Sequence, residues 1–161
     1  MTALSVHHAG RTVRDLDASL RFYRDLMGFR VDDDEMLEGE DISRFVGVEG
    51  ARLRAVMLSL HGRSPFIELT EFLDPPSTGI DGAKAVSAVG SGHISVLVGD
   101  IHEVFERLSA AGVAFNGPPI PVTEGTFAGQ WVAACLDPDG LMVELWCDPR
   151  ADADQTFRED G

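Results

Sequence analysis

Two histidines and two glutamates have the residue types and the spacing of a mixed nitrogen and oxygen metal site. His8 and His93 are 85 residues apart, and each begins a similar segment, HAGRTVRDL in one case and HISVLVGDI in the other. Glu68 and Glu144 are 76 residues apart, and each lies between two aliphatic residues. Imidazole and carboxylate ligands together suit Fe, Mn, Co, Ni or Zn better than Ca or Mg. The pairing predicts one divalent ion bound by all four side chains.

The two similar segments each predict a strand that leads into a helix. Asp15 and Asp100 are good N-caps, because a short carboxylate accepts hydrogen bonds from the free N–H groups of a helix. Apolar residues recur at helical spacing behind each cap. Gly28 and Gly112 then end the predicted helices, since glycine tolerates the left-handed conformation that closes a helix.

Further strands are predicted after each helix, at 52–60 and 65–73 in the first half and at 130–136 and 141–147 in the second. Each glutamate lies in the last strand of its half, and each histidine in the first. Because side chains alternate between the faces of a strand, we expect these four residues to point away from the apolar face, into a cleft.

The repeat predicts an α+β fold in which each half is a strand, a helix and then two or three strands, and in which the halves form a curved mixed sheet around a metal cleft. The first half has nine extra residues between its His and its Glu, which we place at 32–50 as an inserted loop or short helix. Residues 1–148 are expected to form one domain, followed by a polar tail. The predicted boundaries are module 1 at about 4–74, a Gly-, Pro- and Ser-rich linker at 75–92, module 2 at about 93–148 and the tail at 149–161.

The composition favours a soluble cytoplasmic protein that acts on a small molecule. The 161 residues include 13 basic and 27 acidic side chains, for a net charge of −14. Such an acidic surface repels phosphate backbones and anionic lipids, so we expect neither nucleic acid nor membrane as a partner. Cys135 and Cys147 lie in apolar runs and are interpreted as reduced core residues.

The sequence resembles the vicinal oxygen chelate superfamily, which groups glyoxalase I, methylmalonyl-CoA epimerase, extradiol dioxygenases and the fosfomycin and bleomycin resistance proteins. The matching motifs are HHAGRTVRDLDASLRFYRDLMGF, PFIELTEF, GHISVLVGDIHEVFERLSAAGV and DPDGLMVELW, and they cover about residues 4–148. The resemblance implies paired βαβββ modules and metal ligands at His8, Glu68, His93 and Glu144. It also implies a homodimer, with each site formed either within one chain or across two.

Departures from the family patterns narrow the expected activity. Glyoxalase I chains usually carry an Asn two residues after the Thr of the Glu-Leu-Thr motif, whereas Glu71 and Phe72 follow Thr70 here. The metal ligands that bleomycin-binding members lack are intact, and Lys84 is the only lysine, unlike the lysine-rich fosfomycin-modifying members. Within the superfamily, the sequence most resembles methylmalonyl-CoA epimerase-like and glyoxalase-like members. His7 does not align with His93 and is left out of the ligand set.

The leading functional hypothesis is an epimerase, isomerase or lyase that transfers a proton at a carbon next to a carbonyl or thioester. The ion would stabilise an enolate, and Glu144 or Glu68 would act as the base by loosening from the metal. A second base is sought among Glu38, Glu40 and Glu49 of the acidic insert, which otherwise form a solvated charged loop.

Two alternatives remain open at this point. An Fe(II)-dependent ring-cleaving dioxygenase would use His8, His93 and Glu144 as a facial triad. A binding or resistance protein would hold a drug or metabolite without converting it. Arg11, which stands where the second half has Val96, either borders the cleft and binds an anionic substrate group or lies along the sheet edge.

Overall fold

The chain divides into two compact units, Met1–Ile80 and Asp81–Gly161. The structure, a computed structural model, describes most of each unit. Within the part of the chain that it describes, no helix is long and apolar enough to cross a bilayer. The described residues are 5–60, 63–79 and 87–150.

Parts of two predicted segments lie outside the described residues. Of the linker predicted at 75–92, residues 80–86 are not described, and of the tail predicted at 149–161, only the first two residues are. The predicted modules otherwise fall one in each compact unit.

The first unit is a four-stranded mixed sheet with a helix packed on one face. The strand order is β1-β4-β3-β2, with β1 parallel to β4 and the other neighbours antiparallel. The elements are β1 (His8–Thr12), α1 (Leu16–Leu20), which continues as a π-helical stretch (Arg21–Leu26), β2 (Arg30–Glu38), α2 (Glu40–Val46), β3 (Arg52–Leu60) and β4 (Arg63–Asp74).

The core of the first unit lies between α1 and the apolar face of its sheet. Leu16 and Tyr23 on the helical side are fully buried, as are Val56 and Leu69 on the strands. Each such side chain contributes about 1.5–3 kcal/mol by leaving water. The opposite face of the sheet is therefore the one available for polar residues.

The second unit repeats this arrangement with shorter strands. Its strand order is β5-β8-β7-β6, again with the first and last strands parallel. Ile101 and Leu108 of its helix are fully buried, together with Val143 and Leu145 of the last strand. The elements are β5 (Ile94–Leu97), α3 (Ile101–Ala110), β6 (Ile120–Pro121), β7 (Trp131–Leu136) and β8 (Met142–Cys147). The predicted α+β fold with two βαβββ modules is confirmed.

Both predicted helix caps are present. The Asp15 carboxylate accepts from the backbone N–H of Ala18 at 2.8 Å, and that of Asp100 accepts from the N–H groups of His102 and Glu103. Gly28 ends the first helical segment at φ 81°, a left-handed value that side chains rarely adopt. These caps fix where each helix begins after the strand that carries the histidine.

The prediction for residues 32–50 is only partly correct. A short helix is present at Glu40–Val46, but the preceding acidic residues form the strand Arg30–Glu38 and not a loop. This strand pairs with β3 along almost its whole length, from Arg30 opposite Ser59 to Glu38 opposite Arg52. The matching strand of the second unit, Ile120–Pro121, has only two residues, so the insert lengthens an edge strand as well as adding a helix.

Candidate functional site

On β5 and β8, the strand face that carries His93 and Glu144 is the more exposed one. Along β5, Val96 is buried, whereas Ser95 and Leu97 on the other face are exposed. His93 lies one residue before this strand and shares the exposed face. On β8, Glu144 is only part-buried between the fully buried Val143 and Leu145.

His93 and Glu144 form the pair of the second unit. His93 Nε2 lies 3.5 Å from Glu144 Oε2. The same carboxylate oxygen accepts hydrogen bonds from Ser95 Oγ at 2.6 Å and from Trp146 Nε1 at 3.0 Å. Partial burial raises the pKa of Glu144, but the hydrogen bonds from Ser95 and Trp146 and the charge of His93 outweigh it, so the pKa lies below its usual value.

His8 and Glu68 form the matching pair of the first unit. His8 Nε2 lies 3.6 Å from Glu68 Oε2, and the two side chains are 37% and 31% exposed. The strand register is also the same in both units, because Gly10 lies opposite Glu68 and Ser95 lies opposite Glu144. The internal repeat seen in the sequence is therefore a repeat of side-chain geometry.

Each pair has the separation of two ligands of one ion. Donor atoms about 2.1 Å from a metal lie about 3.0 Å apart at a right angle and about 3.4 Å apart at the tetrahedral angle. The observed separations of 3.6 and 3.5 Å are close to the second value. Within the described residues, no group of three or more His, Cys, Asp or Glu side chains is close enough together to bind one metal ion. Each unit thus offers one imidazole nitrogen and one carboxylate oxygen, a donor chemistry that fits a divalent transition metal.

His7 is a further residue of this region that sequence reasoning left out. Its Nδ1 lies 2.8 Å from Nδ1 of His8, so one ring donates to the other through a shared proton. Such a contact orients the His8 ring with Nε2 directed at Glu68. Its only sequence signal was the His-His dipeptide, since the second unit has Gly92 at the matching position.

Aromatic side chains lie beside both pairs. Trp146, which donates to Glu144, contacts the ring of Phe127 at a centroid distance of 5.3 Å. Phe66 lies 5.8 Å from the ring of His7. Trp146 therefore contacts a candidate ligand directly, whereas Phe127 and Phe66 each contact a neighbour of a candidate ligand.

Arg11 does not lie on the face of His8. It occupies the helix-facing side of β1 and donates to the hydroxyl of Tyr23 at 2.9 Å. Because the Arg11 side chain is directed toward the helix, the structure does not support the hypothesis that Arg11 binds an anionic substrate group beside His8.

The acidic residues considered as a second base lie far from Glu68 along the sheet. Glu38, Glu40 and Glu49 line one cavity of about 670 Å³ near the end of β2. Glu38 pairs with Arg52, whereas Glu68 pairs with Met57, five residues further along β3. At about 3.3 Å per residue this is about 17 Å, too far for a shared substrate atom.

Apart from the inserted helix α2, the two α+β units share the order β-α-β-β-β, and each has one His–Glu pair, so the chain is built from two related modules. The chain belongs to the Glyoxalase/Bleomycin resistance protein/Dioxygenase superfamily, whose family model matches residues 5–145. The family resemblance inferred from the motifs is thereby confirmed.

Named relatives and solved structures agree with this family. The chain is 30% identical over 150 residues to a 2-epi-5-epi-valiolone epimerase from Actinomyces, covering 89% of this chain and 79% of the relative. It is 32% identical over 149 residues to a probable lactoylglutathione lyase from Vibrio parahaemolyticus, covering 91% and 92%. A glyoxalase family protein from Bacillus cereus has the same fold, with a TM-score of 0.81, 22% identity and coverage of 92% of this chain and 96% of that one.

Proposed function

We propose that this protein is a divalent-metal-dependent isomerase or lyase that moves a proton at a carbon next to a carbonyl group of a small substrate. The observation that carries the proposal is the matched pair geometry, in which His8–Glu68 and His93–Glu144 have nearly equal Nε2–Oε2 distances at equivalent positions. The four side chains together would bind one ion.

The protein's own residues account for the proton transfer. A bound divalent ion would polarise the substrate carbonyl as a Lewis acid and so make the neighbouring C–H bond more acidic. A glutamate carboxylate then accepts that proton, and the electron pair of the broken C–H bond moves toward the carbonyl oxygen. The carboxylic acid then returns the proton to the former carbonyl carbon, which gives an isomer, or the second glutamate donates a proton to the opposite face of the first carbon, which gives an epimer.

The names of the relatives support this reaction class. One is an epimerase of a compound whose name denotes a ketone, and another is named a lactoylglutathione lyase, which acts on a thioester. An epimerase that inverts a centre beside a carbonyl must remove and return a proton there. A carbonyl or thioester with a hydrogen on the adjacent carbon is therefore the substrate class that we propose.

The direct test is exchange of that hydrogen with solvent. Metal-free protein is loaded with Co²⁺ or Ni²⁺ under argon and incubated in heavy water with 2-epi-5-epi-valiolone or S-lactoylglutathione. Proton NMR should show deuterium entering the carbon next to the carbonyl, and Glu68→Gln/Glu144→Gln protein should show none. Turnover that requires ferrous iron and dioxygen, or binding of a compound that is recovered unchanged and unexchanged, would contradict the proposal.

Two further expectations accompany the function. The homodimer implied by the resemblance and the cytoplasmic location stay predictions. Analytical ultracentrifugation of the metal-loaded protein would measure the first.

A further inference from the structure

One row of apolar side chains crosses the more exposed face of the second unit's sheet. Leu97 of β5 lies opposite Trp146 of β8. Trp146 in turn lies opposite Val132 of β7, which lies opposite Ile120 of β6. Directly opposite side chains on neighbouring strands share one face of a sheet. We call these four residues, together with Phe127, whose ring contacts that of Trp146, the apolar row.

The apolar row lies beside the His93–Glu144 pair. Trp146 follows Glu144 by two residues, about 7 Å along the strand, and its indole N–H donates to the Glu144 carboxylate at 3.0 Å. Leu97 follows His93 by four residues and is on the same side of its strand. A molecule bound at His93 and Glu144 would therefore contact the apolar row.

Three members of the apolar row are exposed although they are large. Leu97, Ile120 and Phe127 are 62%, 59% and 54% exposed. They are three of the seven exposed large apolar residues in the described part of the chain, so such residues are concentrated here. Single apolar residues on a surface need no explanation, but contiguous ones mark a binding surface.

Polar residues end this surface two residues beyond Trp146. Asp148 is two residues from Trp146, and Gln130 is two residues from Val132. The Gln130 amide donates to Asp148 at 3.2 Å, and the Arg150 guanidinium donates to both Asp148 oxygens. The hydrogen bonds from Arg150 lower the pKa of Asp148 to about 2, so this carboxylate stays charged at neutral pH. An apolar group bound on the row must end before it.

The dimensions of the apolar row match a small molecule. Four strands about 4.8 Å apart make it about 14 Å long, and it is about 7 Å wide because side chains on one face repeat every two residues. The resulting area of about 100 Å² is far below the roughly 800 Å² that each partner buries in a stable protein complex. A ring or a short chain of a small substrate therefore fits it better than a second protein does.

The matching row of the first unit is not apolar. Thr70 follows Glu68 by two residues, as Trp146 follows Glu144. The row through Thr70 crosses all four strands and consists of Thr12, Thr70, Ala55 and Glu35. The shared fold therefore does not require the apolar row, which is a property of the second unit alone.

We propose that the apolar row binds a hydrocarbon group of the substrate, which makes the substrate a carbonyl compound that carries a phenyl-sized ring or a short alkyl chain. This assignment rests on the proposed function, which places the carbonyl end of the substrate beside His93 and Glu144. The hydrocarbon group then lies on the apolar row and leaves water. A hydroxyl-bearing group in the same place would gain no such burial.

The test compares acetohydroxamate with benzohydroxamate. Both present the same pair of metal-binding oxygen atoms, and they differ in a methyl against a phenyl group. Isothermal titration calorimetry of the Co²⁺-loaded protein should show benzohydroxamate binding about tenfold more tightly, because its ring leaves water. Leu97→Ser and Phe127→Ser should each reduce this preference to about threefold or less. The affinity for acetohydroxamate should change by no more than about twofold in either variant.

Phe45→Ser is the matched control, because Phe45 on α2 is 87% exposed and is not part of the apolar row. This variant should keep the full preference for benzohydroxamate. Competition with a chromophoric chelator measures the Co²⁺ affinity of all three variants, which should match that of wild type. Trp146 is left unchanged, because it also donates to Glu144.

The outcomes separate this assignment from the function on which it rests. Equal affinities for the two hydroxamates, or a preference that survives both Leu97→Ser and Phe127→Ser, would overturn the assignment. A dimer that these two variants dissociate in analytical ultracentrifugation, with equal hydroxamate affinities, would assign the apolar row to a contact between copies. Absence of deuterium exchange would remove the proposed function. The hydroxamate preference would then still show that the apolar row binds a hydrocarbon group.

Discussion

The guanidinium of Arg11 donates to the hydroxyl of Tyr23 at 2.9 Å, on the side of β1 that faces the helix. The Tyr23 side chain is fully buried, so this hydrogen bond forms where water cannot replace it easily. The pair joins the first strand to the helix that follows it. The matching position of the second unit is the buried Val96.

Tyr23→Phe should destabilise the protein without affecting metal binding. Removing the hydroxyl takes away a hydrogen bond to a charged donor, and we expect the free energy of unfolding to fall by about 1–2 kcal/mol. Urea denaturation followed by circular dichroism measures this. Co²⁺ affinity should stay within about twofold of wild type. A large loss of affinity would instead indicate that Arg11 and Tyr23 contribute to the candidate site.

Removal of either histidine ligand should reduce metal binding. His8→Ala and His93→Ala each delete one donor nitrogen, and we expect at least a tenfold loss in Co²⁺ affinity in both variants. His102→Ala is the matched control, because His102 lies at the start of α3 and its ring contacts Trp131. If the control loses as much affinity as the other two, the ligand assignment is wrong.

Asp34 should stabilise the fold in a pH-dependent way. The hydrogen bond from Arg54 lowers the pKa of Asp34 against the opposing effect of burial, and Arg54 also donates to Asp17. A carboxyl whose pKa is lower in the folded protein stabilises it above the unfolded-state pKa of about 3.9, and this contribution is lost as the pH falls through the folded-state value.

The corresponding experiment compares Asp34→Asn with wild type across pH. Because the Asp34 side chain is 39% exposed, the variant should lose only about 0.5 kcal/mol at pH 7. The difference should shrink progressively below about pH 4. Glu35→Gln on the same strand controls for the loss of one negative charge, and an equal, pH-independent loss in both variants would contradict a specific role of Asp34.

Cys135 should be unreactive in the folded protein. Its side chain is fully buried, and burial raises the pKa of its thiol to about 11. Only the thiolate reacts with disulfide reagents. At pH 8 an aromatic disulfide reagent should therefore modify Cys135 only after unfolding in guanidinium, as mass mapping of the modified peptide would show. Rapid labelling under native conditions would indicate local opening of β7.

Residue pattern alone predicted the parts of the fold that have strong local signals. The caps at Asp15 and Asp100 and the apolar strands β3, β4, β7 and β8 were found because their periodicity or capping chemistry is local. The strand β2 was missed because it is an edge strand with mostly exposed residues. Such a strand shows no alternation of apolar and polar residues, and its acidic composition is more typical of a loop.

The sequence predicted the candidate ligands of the site but not the contacts around them. The four proposed ligands were selected by the repeat, and the structure places them in two matched pairs. The contacts of His7 and Ser95 could not be derived, because they depend on ring orientation and on strand register. A serine on the polar face, where the other half has glycine, was the available signal for Ser95.

The acidic composition of β2 has a consequence for the behaviour of the protein in solution. β2 is at the edge of its sheet, where backbone N–H and C=O groups can pair with a strand of another molecule. Three consecutive aspartates followed by a glutamate run along this edge. Their mutual repulsion between molecules discourages the growth of the sheet into aggregates at neutral pH. The insert that lengthens the sheet edge therefore also keeps further strands from adding to it. Protonation of these carboxyl groups in acid removes that protection.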